Sequence, residues 1–191
     1  MEALRIVLLV FFVSHIPATL LVDAQAGACA ACGSAQLCAS WLTPWLRPVL
    51  PPRFVPAFAR KLLAWHVTKT GDPLMAAPFA PWFRALIVAE LVLQLPFFFA
   101  AVYAFATRRN WIRLPALAYG VHTATSLLPI LAELAASPKV LSEAARMQLL
   151  ALYLPYLVLP LACAAWMAVS PQPFGQAAAP AKGAKRVRKA E

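Results

Sequence analysis

Charge is scarce in this sequence, and negative charge most of all. Only 13% of residues are charged, the 17 lysines and arginines face just 7 acidic residues, and 62% of the chain is apolar. A soluble domain of 191 residues needs a hydrated surface that this composition does not supply, so the chain reads as a single compact membrane domain. The net charge of +10 invites a nucleic-acid reading, but no RNP-like, zinc-finger or helix-turn-helix pattern accompanies it. The basic residues instead flank apolar runs and fill the C-terminal tail, where orientation and headgroup contact call for them. Cysteine is scarce too, at 4 residues. Cys29, Cys32 and Cys38 cluster, yet no fourth ligand stands at metal spacing and no βαβ pattern surrounds the CxxC. Neither a metal nor a cofactor is expected. A structural disulfide in a lumenal loop is the expectation, with the choice of pair left open.

What the sequence has is long apolar runs, at about 4–22, 82–107, 112–134 and 147–169. Each approaches or exceeds the ~20 residues a helix needs to cross a bilayer. The fold class is therefore an all-α membrane protein, a four-transmembrane-helix bundle whose prolines kink its helices around an internal ligand pocket. The first run ends in Ala24-Gln25-Ala26, which resembles a signal-peptide cleavage site. Its near-spanning length, the interruption Ser14-His15-Ile16-Pro17 and the terminal Asp23 argue for a retained span. Between the first two runs, 27–47 reads as a lumenal insertion. Val55–Val67 has the spacing of a short interfacial helix, with Phe58, Leu62 and Trp65 beside Arg60 and Lys61. Gly71-Asp72-Pro73 is a turn signal. Residues 171–191 form a basic tail expected to be disordered, and Arg188-Lys189 resembles a signal for retrieval to the endoplasmic reticulum. Arg108, Arg109 and Arg113 gather on the side of the termini, which places both termini in the cytoplasm.

Polar residues inside the runs are the candidates for function. Between Arg84 and Arg108 the one charge is Glu90, and a carboxylate in hydrocarbon costs at least ~2.5 kcal/mol. Gln94 follows one turn later on the same face, and then Pro96. The third run carries His122, Thr123, Thr125 and Ser126. His122 reads as a hydrogen-bonded packing residue, and the hydroxyls as partners of the backbone or a neighbouring helix. Tyr153 and Tyr156 lie mid-span, so their hydroxyls need partners inside the bundle. Cys163 reads as a small buried apolar residue.

Several strings occur together: Ser14–Asp23 (SHIPATLLVD), Gly71–Leu74 (GDPL), Trp82-Phe83, Glu90–Phe98 (ELVLQLPFF), Trp111–Pro115 (WIRLP), Val121–Ile130 (VHTATSLLPI) and Tyr153–Tyr156 (YLPY). In this order they resemble the sigma-2 receptor branch of the EXPERA domain family, which also contains the emopamil-binding sterol isomerase. The resemblance covers every span and stops at the tail and the 27–47 insertion. It implies a pocket at membrane depth, opening sideways to lipid, that takes sterols, oxysterols or cationic amphiphiles. It implies that Asp23 pairs with a ligand amine and that Glu90 stands beside it as a neutral hydrogen-bond donor. It implies that His15, Gln94, Ser126, Tyr153 and Tyr156 line the pocket, Ser126 replacing the family's threonine, and that Asp72 holds the adjoining loop. The role implied is non-enzymatic: sterol homeostasis in the endoplasmic reticulum, also in the nuclear envelope, lysosomal or plasma membrane, as a homodimer associated with a lysosomal cholesterol transporter. Elementary electrostatics agrees with the pairing, because two adjacent buried carboxyls cannot both ionise cheaply and one should hold a proton. The blander reading is that Asp23 and Glu90 only join neighbouring spans. The enzymatic rival is a Δ8-sterol isomerase. The isomerase relatives carry a histidine one turn before the glutamate of the second span; here that residue is Leu86, leaving Asp23 and Glu90 as the acid–base pair.

Overall fold

Where the sequence carries apolar runs, the chain winds into helices. The computed structural model describes residues 1–26, 55–76, 79–136 and 142–175, and among these there is no strand. The cysteine-bearing insertion and the tail with Arg188-Lys189 lie outside the described residues. Among the described residues four helices are long and apolar enough to cross a bilayer: α1 (Glu2–Asp23), α3 (Pro81–Ala106), α4 (Asn110–Ala136) and α5 (Glu143–Val169). Their lengths of 22, 26, 27 and 27 residues exceed the ~20 that hydrocarbon requires, and the protein is multi-pass. A shorter helix, α2 (Ala57–Thr70), lies between the first two spans in sequence. Helix α1 packs on α3 and α4 packs on α5, and the two pairs close into one bundle.

The half of the bundle near the termini is filled by rings. Phe12 meets Phe97, Phe98, Phe105 and Tyr119 at centroid separations of 5.2–6.2 Å, as aromatic pairs prefer. At this end Arg5 donates to the Phe105 carbonyl at 2.7 Å and Arg113 donates to that of Met167 at 2.8 Å, so both arginines tie helix ends together. The opposite half is aliphatic, built on Phe83, Ile87, Leu127, Leu134 and Leu149. Between the two halves α4 and α5 approach closely at Gly120, where an added Cβ would stand 2.4 Å from the Pro160 carbonyl.

Two spans contain a π-helical turn, at Thr19–Asp23 in α1 and at Glu90–Gln94 in α3. The expected bend at Pro96 thus takes a particular form. Pro96 has no N–H to give the Val92 carbonyl, and the helix widens by a residue just before it. Pro17 stands on the other side of its turn, two residues before the widening at Thr19–Asp23 rather than after it.

Helix α2 ends at Gly71, whose φ of 64° lets its N–H close on the Val67 carbonyl at 2.9 Å. The chain then turns straight into Asp72. The other end is held by Gln25, whose Nε2 donates to the Ala59 carbonyl at 2.9 Å. Phe58, Leu62 and Trp65 remain exposed on one stripe.

Candidate functional site: a polar cleft between widened helices

The π-turns set the site, because widening rotates successive side chains and bares backbone on one wall. They bring Asp23 and Glu90 into one cavity of about 260 Å³, in the half of the bundle away from the termini. The Asp23 carboxyl lies against that of Glu90. Glu90 Oε1 accepts from Thr19 Oγ1 at 2.6 Å, and His15 Nε2 stands 3.6 Å from the same oxygen. Among the described residues Asp23 has no donor besides its neighbour, whereas Glu90 has Thr19 and, farther off, His15. Glu90 Oε1 is therefore tied to α1 by Thr19, and α1 also brings Asp23 to the same carboxyl.

The remaining sequence candidates surround this pair. His15 is buried against Phe11, Phe98 and Tyr156, at centroid separations of 4.7–5.0 Å, so it caps the aromatic half and floors the cavity. Gln94, also buried, accepts from Thr123 Oγ1 at 3.0 Å. Ser126 spends its hydroxyl on the Thr123 carbonyl at 2.9 Å, and it lines the cavity with Tyr153 and Tyr156. All seven proposed lining residues thus meet in one place. Ile87, Leu127 and Ile130 supply apolar wall.

Asp72 does not line the cavity; it braces it. Fully buried, it accepts from the N–H of Leu74 at 2.9 Å and of Met75 at 3.3 Å, closing the turn. Tyr153 Oη donates to its other oxygen at 2.7 Å, and His66 Nε2 lies 3.3 Å from that oxygen. Burial alone pushes the Asp72 carboxyl up, but these four contacts outweigh it and hold the group below the ordinary aspartate range.

Thr19 and His66 were missed in the sequence. His15, Thr19 and Asp23 recur every fourth residue, a one-face pattern in plain view. His66 carried no such signal; it reaches the cavity because Leu63 and Val67 seat α2 on the aliphatic half, and Gly71 turns the chain so that Asp72 meets it. Among the described residues no cluster of side chains could hold a metal ion.

Residues 58–167 match the EXPERA family, the expanded EBP superfamily. The chain belongs to this family. Among the EXPERA proteins it resembles is the human sigma intracellular receptor 2, 36% identical over 174 residues, covering 84% of this chain and 85% of the relative. The proteins of the same name from Macaca fascicularis and Xenopus tropicalis are 36% and 35% identical, each over 85% of this chain. Those relatives are named as receptors, whereas the EXPERA family also contains isomerases.

Proposed function

We propose that this protein is an intracellular membrane receptor of the sigma-2 type, binding sterols and cationic amphiphiles in the cleft. The observation that carries the reading is the Asp23–Glu90 pair at the polar end of an apolar cavity. Two facing carboxyls that share a proton leave one negative charge, and an ammonium group entering the cavity answers it. A sterol hydroxyl is answered by the same pair as donor and acceptor. The apolar wall supplies most of the affinity and the polar groups fix orientation. The same reading places the protein in the endoplasmic reticulum with cytoplasmic termini, acting in sterol homeostasis; Arg108, Arg109 and Arg113 on the side of the termini support that orientation.

The test is binding of a labelled cationic amphiphile to the full-length protein in nanodiscs. Asp23→Asn should weaken it roughly 30-fold or more, since truncating one partner of a buried charge pair costs ~2–5 kcal/mol. Unchanged affinity would send the amine elsewhere.

A second reading, proton transfer on a bound sterol, gains from one contact. The second span lacks the isomerase histidine, but His15 arrives from α1 within 3.6 Å of Glu90. Turnover of a Δ8-sterol by the same preparation separates the two: receptor function expects none, and turnover abolished by His15→Gln would establish the enzyme.

A further inference from the structure

Gln94 belongs to two cavities. It lines the cleft of Asp23 and Glu90 and also borders a second cavity of about 220 Å³ between α3 and α4. Leu93, Phe97 and Ala118 form apolar walls of this second cavity, and Tyr119 and His122 lie along it one helical turn apart. Leu93 and Ala118 are exposed on the outside of the bundle, so the cavity opens sideways rather than into the cleft.

The polar atoms here are unsatisfied. Tyr119 is 95% buried, and its hydroxyl has no hydrogen-bond partner; neither has His122 Nε2. Thr123, the hydroxyl beside Tyr119, gives its own proton to Gln94 and is left with lone pairs only, so it offers Tyr119 Oη and His122 Nε2 no donor. A buried hydroxyl or imidazole nitrogen without a partner costs ~1–3 kcal/mol, and hydrocarbon offers nothing to relieve it. The expectation from sequence, that His122 is a hydrogen-bonded packing residue, therefore does not hold at Nε2.

Depth decides what can relieve it. Tyr119 and His122 stand nine and twelve residues into α4, about 14 and 18 Å along the axis, close to the bilayer midplane. Leu93 and Phe97 are equally central in α3. Ordinary lipids present only hydrocarbon there. A lipid with a hydroxyl on the distal part of its chain presents a donor and an acceptor at that level.

We propose that the α3–α4 cavity is a second lipid site, selective for lipids bearing a hydroxyl far along the hydrocarbon chain. The hydroxyl takes a hydrogen bond from Tyr119 Oη and gives one to His122 Nε2, while Leu93, Phe97 and Ala118 hold the chain. The site is independent of the Asp23 cleft, with Gln94 as the shared wall.

The probe is phosphatidylcholine with a hydroxyl in the distal half of its stearoyl chain, mixed equally with its unhydroxylated counterpart. Full-length protein is equilibrated in nanodiscs of the mixture, extracted, and its retained lipid quantified by mass spectrometry. Wild-type protein should enrich the hydroxylated lipid several-fold. Tyr119→Phe with His122→Phe should abolish the preference. Ala118→Trp, which fills the cavity from the lipid side and leaves both polar groups intact, should abolish it too. Asp23→Asn should retain it, whether or not that variant loses amine binding, so this proposal and the receptor reading fail separately. Equal retention of the two lipids by wild-type protein would overturn the proposal. So would a preference that survives Ala118→Trp, or one lost in Asp23→Asn, which would put the lipid in the cleft.

Discussion

Tyr153 donates its hydroxyl to Asp72 across 2.7 Å, and through this one bond the last span holds the loop that closes the cleft. Among the described residues the other polar contacts of Asp72 are those of its own turn and His66, while Leu74 and Met75 pack into the aliphatic half. Removing Tyr153's hydroxyl should therefore loosen the wall of the cleft away from the termini without disturbing the aromatic half. Tyr153→Phe is expected to cost roughly 1.5–3 kcal/mol, the range for a hydrogen bond to a charged group. Hydrogen exchange checks the location: protection should fall at Leu74 and Met75 and persist in α3 beyond Pro96.

Acidity gives a second handle on the same contact. The folded Asp72 carboxyl is held below its ordinary value, so its stabilisation is complete above the unfolded value of about 4 and is lost as pH falls through the folded one. Thermal melts of wild type and Asp72→Asn should differ most at neutral pH and converge on acidification below about pH 4. A constant difference down to pH 3 would show that the charge of Asp72 is not what closes the turn.

At the cleft, Glu90→Gln should preserve much of the amine affinity. The amide oxygen still accepts from Thr19, and the amide nitrogen can still donate to Asp23. Glu90→Ala strands Thr19 and leaves Asp23 without a neighbour, and should cost at least tenfold more. Ligand titrations of both variants and of Thr19→Val check the order. If Gln is as damaging as Ala, Glu90 acts through its charge or a transferred proton.

Much of this cleft was legible because membrane spans impose so simple a background. Against uninterrupted hydrocarbon, Glu90, Gln94 and the mid-span tyrosines stand out one by one, and their partners must lie on other spans. The family strings then gathered His15, Asp23 and Ser126 to the same place. Two things were not legible. A π-turn leaves no composition signal, only a proline whose consequence, bend or widening, depends on the helices around it. The meeting of His66 with Asp72 depends on the hand of the turn at Gly71, which brings Asp72 back against a histidine that its own helix gives no reason to single out.

Gly71 and Gly120 show two different reasons for glycine, and a matched pair of substitutions separates them. Gly71 adopts φ 64° with nothing within 4 Å of where a Cβ would stand, so only its backbone is special. Gly71→Ala should cost ~1–2 kcal/mol, and Gly71→Asn less, because asparagine visits the left-handed region more readily. Gly120 sits in helical backbone, but a Cβ there would meet the Pro160 carbonyl at 2.4 Å, Ala164 Cβ at 2.8 Å and the Ala164 nitrogen at 3.1 Å. Two of those atoms are backbone, so α4 and α5 must separate, at a cost of ~1–3 kcal/mol even for alanine. Asparagine gives no relief at Gly120 and should be worse than alanine. Separating these helices also moves Ser126 away from Tyr153 and Tyr156 across the cleft, so Gly120→Ala should weaken amphiphile binding along with stability. Gly71→Asn should leave that binding nearly unchanged. Melting temperatures and ligand titrations on the four variants test both halves; equal ranking of alanine and asparagine at the two sites would mean that one mechanism governs both.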